Sequence, residues 1–438
     1  MRRLFSSSYF HFYAALAIGL LVIAAYSNTF HSSFQFDDQP QIIQNGLIRS
    51  LSTGMLKQTR GVTYLSFAVN YALGGLDVTG YHVVNLSIHI INSLLAYWLL
   101  LSTFKLLDKD DAWARRIAFF SALIFALHPI QTQAVTYIIQ RMESLSSLFY
   151  IAALLFFARA AVSDSGPKRL ILYGLVGLSY LLGFYSKETT FTVPAVVLLY
   201  DFFFVSKGSV KGLASRWPLY AILAALFVFF TMNTVMPLGG FGDVSKESTV
   251  AETISPRPDA SVPVALPKEE SAGFKVTYIS PKEYLLTQFN VVVYYLTLLA
   301  VPLNQNLDYD FPRATGLFQA PVARKGAALN IPMLPPIASL FIILFIIGLG
   351  IYLYFKSMKE AGERGGAEKR LISFFILWFF IILSPTSSFI PIIDVIYEHR
   401  LYLPSLGFFT VFVILADMFL KAVFRPKSAS NNPLISGE

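Results

Sequence analysis

The chain has 438 residues, 55% of them hydrophobic and 14% charged, with a mean hydropathy of +0.58. Soluble domains carry roughly 25% charged residues, so a water-soluble globule is excluded. The absence of cysteine excludes disulfides, thiol nucleophiles and Cys-ligated metals, and the net charge of +8 needs an explanation from its distribution.

In chain order, apolar runs long enough to cross a bilayer fall near 12–28, 81–104, 117–135, 144–160, 170–186, 190–206, 217–236, 334–355, 371–388 and 403–420. With Met1 inside, the short segments on that side hold most of the Lys and Arg. Among them are Arg2 and Arg3, Lys105 to Arg116, Lys207 to Arg216, Lys356 to Arg370, and Lys421 to Lys427. This positive-inside pattern accounts for the basic charge without a nucleic-acid partner. Residues 284–302 are also apolar enough to span, but a crossing there would turn the basic segment 356–370 outward. That stretch is therefore expected to be a re-entrant or interfacial helix, with an eleventh span as the alternative. The first run follows two arginines but lacks an A-x-A cleavage pattern, so it reads as an uncleaved anchor. The expected fold class is an all-α polytopic membrane protein with about 10–11 transmembrane helices. It comprises a membrane domain over 1–427 and a short polar cytoplasmic tail over 428–438.

Two outer loops are large. Residues 29–80 contain amphipathic stretches at 41–56 and 63–76 that suit the interface. Residues 237–283 are rich in Pro, Ser, Gly, Glu and Lys, with too little apolar surface to offset the entropy of ordering alone, which suits a lid.

On the outer side, ionisable residues from separate segments stand at the ends of apolar runs: Asp37 and Asp38, Arg60, His82 and His89, His128, Arg141 and Glu143, Lys187 and Glu188, Asp308 and Asp310, and Glu398 to Arg400. Such groups cost free energy at a membrane edge unless paired or hydrated, so their gathering on one side points to a functional cavity. Each has a plainer reading. Asp37-Asp38 suits a hydrated turn, and Lys187-Glu188 a pair between two helices. Arg400 suits an ion pair with Glu398. His82, Asn85 and His89 share one helical face and suit interhelical hydrogen bonds. Asp308-Tyr309-Asp310 matches a D-x-D metal-binding pattern, which leaves a divalent metal open as a cofactor; no other cofactor is implied. Asp201, on the inner side, reads as a solvated helix end. Together, a carboxylate beside several cations at a membrane surface suits a lipid-phosphate substrate. The cations hold the phosphate and the carboxylate takes a proton from an attacking hydroxyl.

The ordered motifs FQFDD, TRGVTYLSFAVNYALGG, GYHVVNLSIHIINSLL, FALHPIQTQAVTYIIQRMESLSSLF, YSKETTFTVPAVVLLYDFFF and EHRLYLPSLGF resemble the membrane part of the transmembrane and tetratricopeptide-repeat O-mannosyltransferases. These are relatives of the protein O-mannosyltransferases with the GT-C glycosyltransferase fold. The resemblance covers about residues 10–420. It implies transfer of a sugar, mannose or another hexose, from a polyprenyl-phosphate carrier to a hydroxyl of a secreted or surface protein. The chain would then lie in a bacterial cytoplasmic membrane with its site facing outward. It further implies Asp37 as base with Asp38 positioning it. Arg60, His82, Arg141, Lys187, Glu188, Glu398, Arg400 and Tyr402 would bind donor phosphate or substrate. This sequence departs from the family pattern at Gly61, where relatives have Pro, and at Gln140, where they have a small residue. The tetratricopeptide repeats that follow in many relatives are not in this sequence, so acceptor recognition is expected from the outer loops or a partner. The alternatives are a transferase acting on lipid or cell-wall glycan and, from another class, a transporter or flippase. The latter places its charges near the midplane in paired repeats, a pattern not seen here.

Overall fold

The computed structural model describes residues 9–235, 272–274, 276–322, 333–360 and 365–424. Most of the outer loop 237–283 and the tail 428–438 lie outside the described residues, so the lid reading and the tail assignment are not addressed.

Among the described residues every named element is helical, in line with the apolar runs of the sequence. The principal helices are Phe10–Ala25, Gly61–Gly74, Val78–Leu106, Asp111–Leu127, Arg141–Ala161, Gly166–Phe184, Val193–Tyr200, Trp217–Phe230, Pro281–Ala300, Pro336–Lys359, Gly366–Leu383 and Pro404–Val423. Among the described residues five helical stretches are long and apolar enough to cross a membrane: Val78–Leu106, Ile138–Ala161, Glu188–Val205, Pro336–Lys359 and Pro404–Val423. Asp111–Leu127 with Pro129–Thr136, bent by 53°, makes a sixth. Phe10–Ala25 and Trp217–Asn233 are apolar but shorter. The chain is an all-α, multi-pass membrane protein.

Helices pack mostly against sequence neighbours, and Val78–Leu106 sits centrally against Phe10–Ala25, Asp111–Leu127 and Arg141–Ala161. Small residues allow the close crossings, as is usual where lipid gives no hydrophobic drive between helices. A Cβ on Gly407 would stand 2.9 Å from the Phe375 carbonyl oxygen and 2.8 Å from the Trp378 ring, so nothing larger fits there.

Helix Pro281–Ala300 begins with a capping box, the Ser280 hydroxyl accepting from Glu283 N–H and the Glu283 carboxylate from Ser280 N–H. One stripe of this helix faces the connection between the last two helices. Tyr284 donates to the Thr386 carbonyl at 2.7 Å, Gln288 to Val395 at 2.8 Å and Tyr295 to Tyr397 at 2.8 Å. This stripe thus ties the helix to a connecting segment while it also packs on Pro336–Lys359, and it is not among the stretches long and apolar enough to cross.

The opposite, basic end is tied by ion pairs: Lys109 to Glu368 at 2.6 Å, and Asp417 to Arg116 at 2.5 Å and to Lys421 at 2.6 Å. Asp201 corrects the sequence reading. It is fully buried rather than solvated. Arg216 lies 3.0 Å away, and Ser206 and Tyr220 donate hydroxyl hydrogen bonds of 2.6 Å to it. A carboxylate taken out of water needs such partners, and Arg216, fifteen residues downstream, was too distant in sequence to be assigned to it.

Candidate active site

The end of the bundle away from that basic cluster gathers the segments around residues 35–38, 60, 133–143, 185–188, 305–309 and 394–400. Asp38 is buried. Its carboxylate accepts the Gln35 N–H at 2.9 Å and the Ile139 N–H at 2.7 Å, which pins the first loop to the segment before helix Arg141–Ala161. Burial pushes its pKa up to about 6, opposed by those two amides. Asp37 is exposed, and its backbone N–H donates to the Tyr137 hydroxyl at 2.8 Å. Of the two neighbours one is therefore anchored and one faces outward.

Lys187 and Glu188 do not pair with each other. The extended backbone of Lys187 (φ −159°, ψ 140°) sends successive side chains to opposite sides. Lys187 Nζ meets the buried Glu143 carboxylate at 2.7 Å. Glu188 takes both contacts of Arg60 Nε, at 3.0 and 3.1 Å. Arg60 itself is left-handed (φ 62°), and the following glycine is required. A Cβ at Gly61 would lie 2.2 Å from the Met55 carbonyl oxygen, and its N–H donates to the Gln58 carbonyl at 3.1 Å. Proline, lacking that N–H, does not fit this turn.

Glu398 and Arg400 also part company. The Glu398 carboxylate accepts from Gln305 Nε2 at 2.6 Å, from Asn306 N–H at 2.7 Å and from the Tyr309 hydroxyl. Burial raises its pKa against those donors. Arg400, buried, donates to the Asp394 and Val395 carbonyls at 2.7 and 3.1 Å. It has no carboxylate within ion-pair distance among the described residues. Asp37, Asp308 and Arg400 all act electrostatically on Asp394, whose carboxyl burial pushes up. His399 stacks on Tyr397 and bonds to Gln133. Its pKa is lowered well below the usual histidine value by burial, with Lys187, Arg400 and Arg60 adding to the effect. Arg60, Lys187 and Arg400 thus all act on His399, while Asp37 and Arg400 both act on Asp394.

Three sequence candidates stand behind this surface. Arg141 is wholly buried and donates to Asn85 Oδ1 and Asn70 Oδ1 at 2.6 Å each, to the Tyr81 carbonyl at 3.0 Å and to Ser66. Phe67 covers its guanidinium face, 4.4 Å from the ring centre. His82 donates to the Ser32 carbonyl at 3.0 Å and so holds the first loop. Tyr402 donates to His89 Nδ1 at 2.7 Å and accepts from Asn92 at 3.0 Å, and His89 Nε2 donates to the Ala126 carbonyl at 2.9 Å. Of the shared face, Asn85 and His89 thus bond between helices, while His82 reaches a loop carbonyl.

Asp308 and Asp310 are exposed while Tyr309 turns inward to Glu398. Among the described residues no three His, Asp or Glu side chains are grouped to hold a metal. The D-x-D pattern therefore makes no cage among the described residues. Sequence reasoning missed Asp394, Tyr397, Tyr137 and Gln133. A lone acid inside the apolar run PIIDVIY was the available signal for Asp394; the other three carry none until the segments are assembled.

Beside Asp38 opens a cavity of about 580 Å³, walled by the end of the first helix, residues 132–137, residues 305–307 and Glu398.

Residues 78–233 match the family described as dolichyl-phosphate-mannose-protein mannosyltransferase. The chain is 32% identical over 225 residues to protein O-mannosyl-transferase Tmtc3 of Drosophila melanogaster, a match covering 43% of this chain and 24% of that protein. It is 31% identical over 209 residues to human TMTC3 (43% and 21% of the two chains) and 31% identical over 216 residues to human TMTC2 (45% and 25%). The matches span about a quarter of the length of these curated relatives. No solved structure matches. The motifs and the comparisons agree that this chain is TMTC-like in its membrane part, similar there to the protein O-mannosyl-transferases.

Proposed function

We propose that the chain is a membrane glycosyltransferase. It moves a hexose, mannose by its relatives' names, from a polyprenyl-phosphate carrier to a hydroxyl of a protein at the outer face of a bacterial cytoplasmic membrane. The observation that carries this reading is that the segments bearing the exposed Asp37, Arg60, Lys187 and Arg400 meet at one end of the bundle, joined by the Asp37–Tyr137, Arg60–Glu188, Lys187–Glu143 and His399–Gln133 contacts.

In this reading the acceptor hydroxyl oxygen attacks the anomeric carbon, and Asp37 takes the hydroxyl proton. The bond from that carbon to the carrier phosphate breaks, and the phosphate leaves with the electron pair. A single displacement inverts the anomeric centre. Asp38, held by two backbone amides, fixes the backbone of its neighbour and serves as a positioning residue. The leaving phosphate gathers charge, which fixed cations stabilise without reorganising. Arg60 and Lys187 each already face a carboxylate, whereas Arg400, set among Tyr284, Tyr295 and the Asp394 and Val395 carbonyls, has none at ion-pair distance among the described residues. Arg400 is thus the cation with charge to offer, and its planar fork suits a phosphate.

The test is Asp37→Asn, which keeps shape and removes the proton acceptor. Transfer from a polyprenyl-phosphate mannose donor to a Ser/Thr peptide should fall about 10²–10⁴-fold, as for loss of a general base. Donor binding should persist. Near-normal turnover in Asp37→Asn refutes the assignment.

A further inference from the structure

The cavity of about 580 Å³ has a chemistry opposite to that of a phosphate site. Its walls carry carboxamides and hydroxyls, the rings of Tyr26 and Tyr137, and the carboxylates of Asp38 and Glu398. Among its described wall residues there is no Lys, Arg or His. A phosphate ester needs cations or a nest of N–H donors, so the carrier headgroup belongs outside this cavity, on the Arg400 side. The cavity nevertheless adjoins the base. Tyr137 stands in its wall and takes the Asp37 N–H on its hydroxyl, while Asp38 lines it directly. Its size falls within the range of about 300–1,000 Å³ typical of ligand sites, enough for a short chain segment.

We propose that this cavity is the acceptor pocket, taking an extended hydroxyl-bearing segment of polypeptide that is uncharged or basic and rejecting acidic ones. Two carboxylates without a cation favour a positively charged side chain, which a polypeptide carries and a neutral glycan does not. Tyr26 and Tyr137 give apolar faces for its stem. Acidic segments meet like charge in a half-enclosed space, where such juxtaposition is costly. The word acceptor rests on the transferase reading; the charge preference of the pocket does not.

The experiment uses the full chain in lipid nanodiscs and three labelled peptides that differ only in the residues flanking one Thr: Lys, Ala or Asp. A neutral mannose oligosaccharide and a polyprenyl phosphate serve as further probes. The Lys peptide should bind tightest and the Asp peptide roughly tenfold more weakly. Glu398→Gln should narrow that ratio. Thr136→Trp, which fills the cavity from one wall, should abolish peptide binding and leave polyprenyl phosphate binding intact. Ser32→Trp, from another wall, should do the same and guards against a folding defect in the first variant. Equal binding of the Asp and Lys peptides overturns the proposal. So does binding of the oligosaccharide in place of every peptide, or loss of polyprenyl phosphate binding in both filled variants. A protein that shows the charge preference but transfers no sugar refutes the transferase reading alone. One that transfers sugar without the preference refutes the pocket alone.

Discussion

Replacing Arg141 with lysine separates a structural cation from a substrate-binding one. The guanidinium is fully enclosed, and each of its nitrogens is committed: Nε to Asn85, one terminal nitrogen to Asn70 and Ser66, the other to the Tyr81 carbonyl. Lysine keeps the charge but offers its donors from a single nitrogen and cannot span acceptors on three sides. At least two of the buried acceptors are then left without a donor. At about 1–3 kcal/mol for each buried unsatisfied group, Arg141→Lys should destabilise the protein by roughly 2–6 kcal/mol. The effect should appear as a clear drop in melting temperature of the purified protein, read by tryptophan fluorescence, with loss of the helix contacts that Asn70, Tyr81 and Asn85 make. Affinity for a polyprenyl-phosphate donor, measured on the fraction that remains folded, should be nearly unchanged. A variant with wild-type melting temperature and lost donor affinity would refute the structural assignment and make Arg141 a phosphate ligand.

Two further predictions concern the first loop. The Asp38 carboxyl, raised from its ordinary value to about 6 by burial, holds a proton in the folded chain that the unfolded chain releases between about pH 4 and pH 6. Its contribution is fully present below about pH 4 and lost as the pH rises through 6, about 3 kcal/mol across the window. The melting temperature of Asp38→Asn relative to wild type should therefore rise over that range, and a difference flat with pH counts against the buried, anchored carboxyl. Gly61→Ala places a Cβ 2.2 Å from the Met55 carbonyl oxygen and 2.9 Å from Leu56 Cα. Since only backbone can yield, the substitution should cost about 1–3 kcal/mol or more and loosen the Arg60–Glu188 pair. Unchanged stability would mean that the turn takes another form.

Much of the fold is legible in the sequence because a bilayer imposes a simple rule: a crossing helix needs about 20 apolar residues. The runs near 81–104, 334–355 and 403–420 obey it and are helices. The stretch near 284–302 looks apolar enough in the sequence, yet helix Pro281–Ala300 is not among the stretches long and apolar enough to cross. What sets it apart is the stripe Tyr284, Gln288 and Tyr295 reaching for backbone carbonyls of a connecting segment. Which partners such a stripe finds is settled only once the segments are assembled.

The site divides along the same line. Which segments carry it was readable, because ionisable residues at the ends of apolar runs are conspicuous. Who pairs with whom was not, because adjacency in sequence is a poor guide once the backbone is extended or tightly turned. Lys187 and Glu188 are neighbours whose side chains leave on opposite sides of an extended residue, one to Glu143 and the other to Arg60. Glu398 and Arg400 stand two apart on a 3₁₀ turn, where that spacing points them in different directions. Asp37 and Asp38 split into an exposed carboxylate and a buried one. These partings change the functional reading. Counted from sequence, four outer cations were equal candidates to hold a phosphate. Once the pairs are assigned, Arg141 is enclosed by its own acceptors, and Arg60 and Lys187 each answer a carboxylate. Arg400, with no carboxylate at ion-pair distance among the described residues, is then the cation that the proposed transferase reading assigns to a substrate anion.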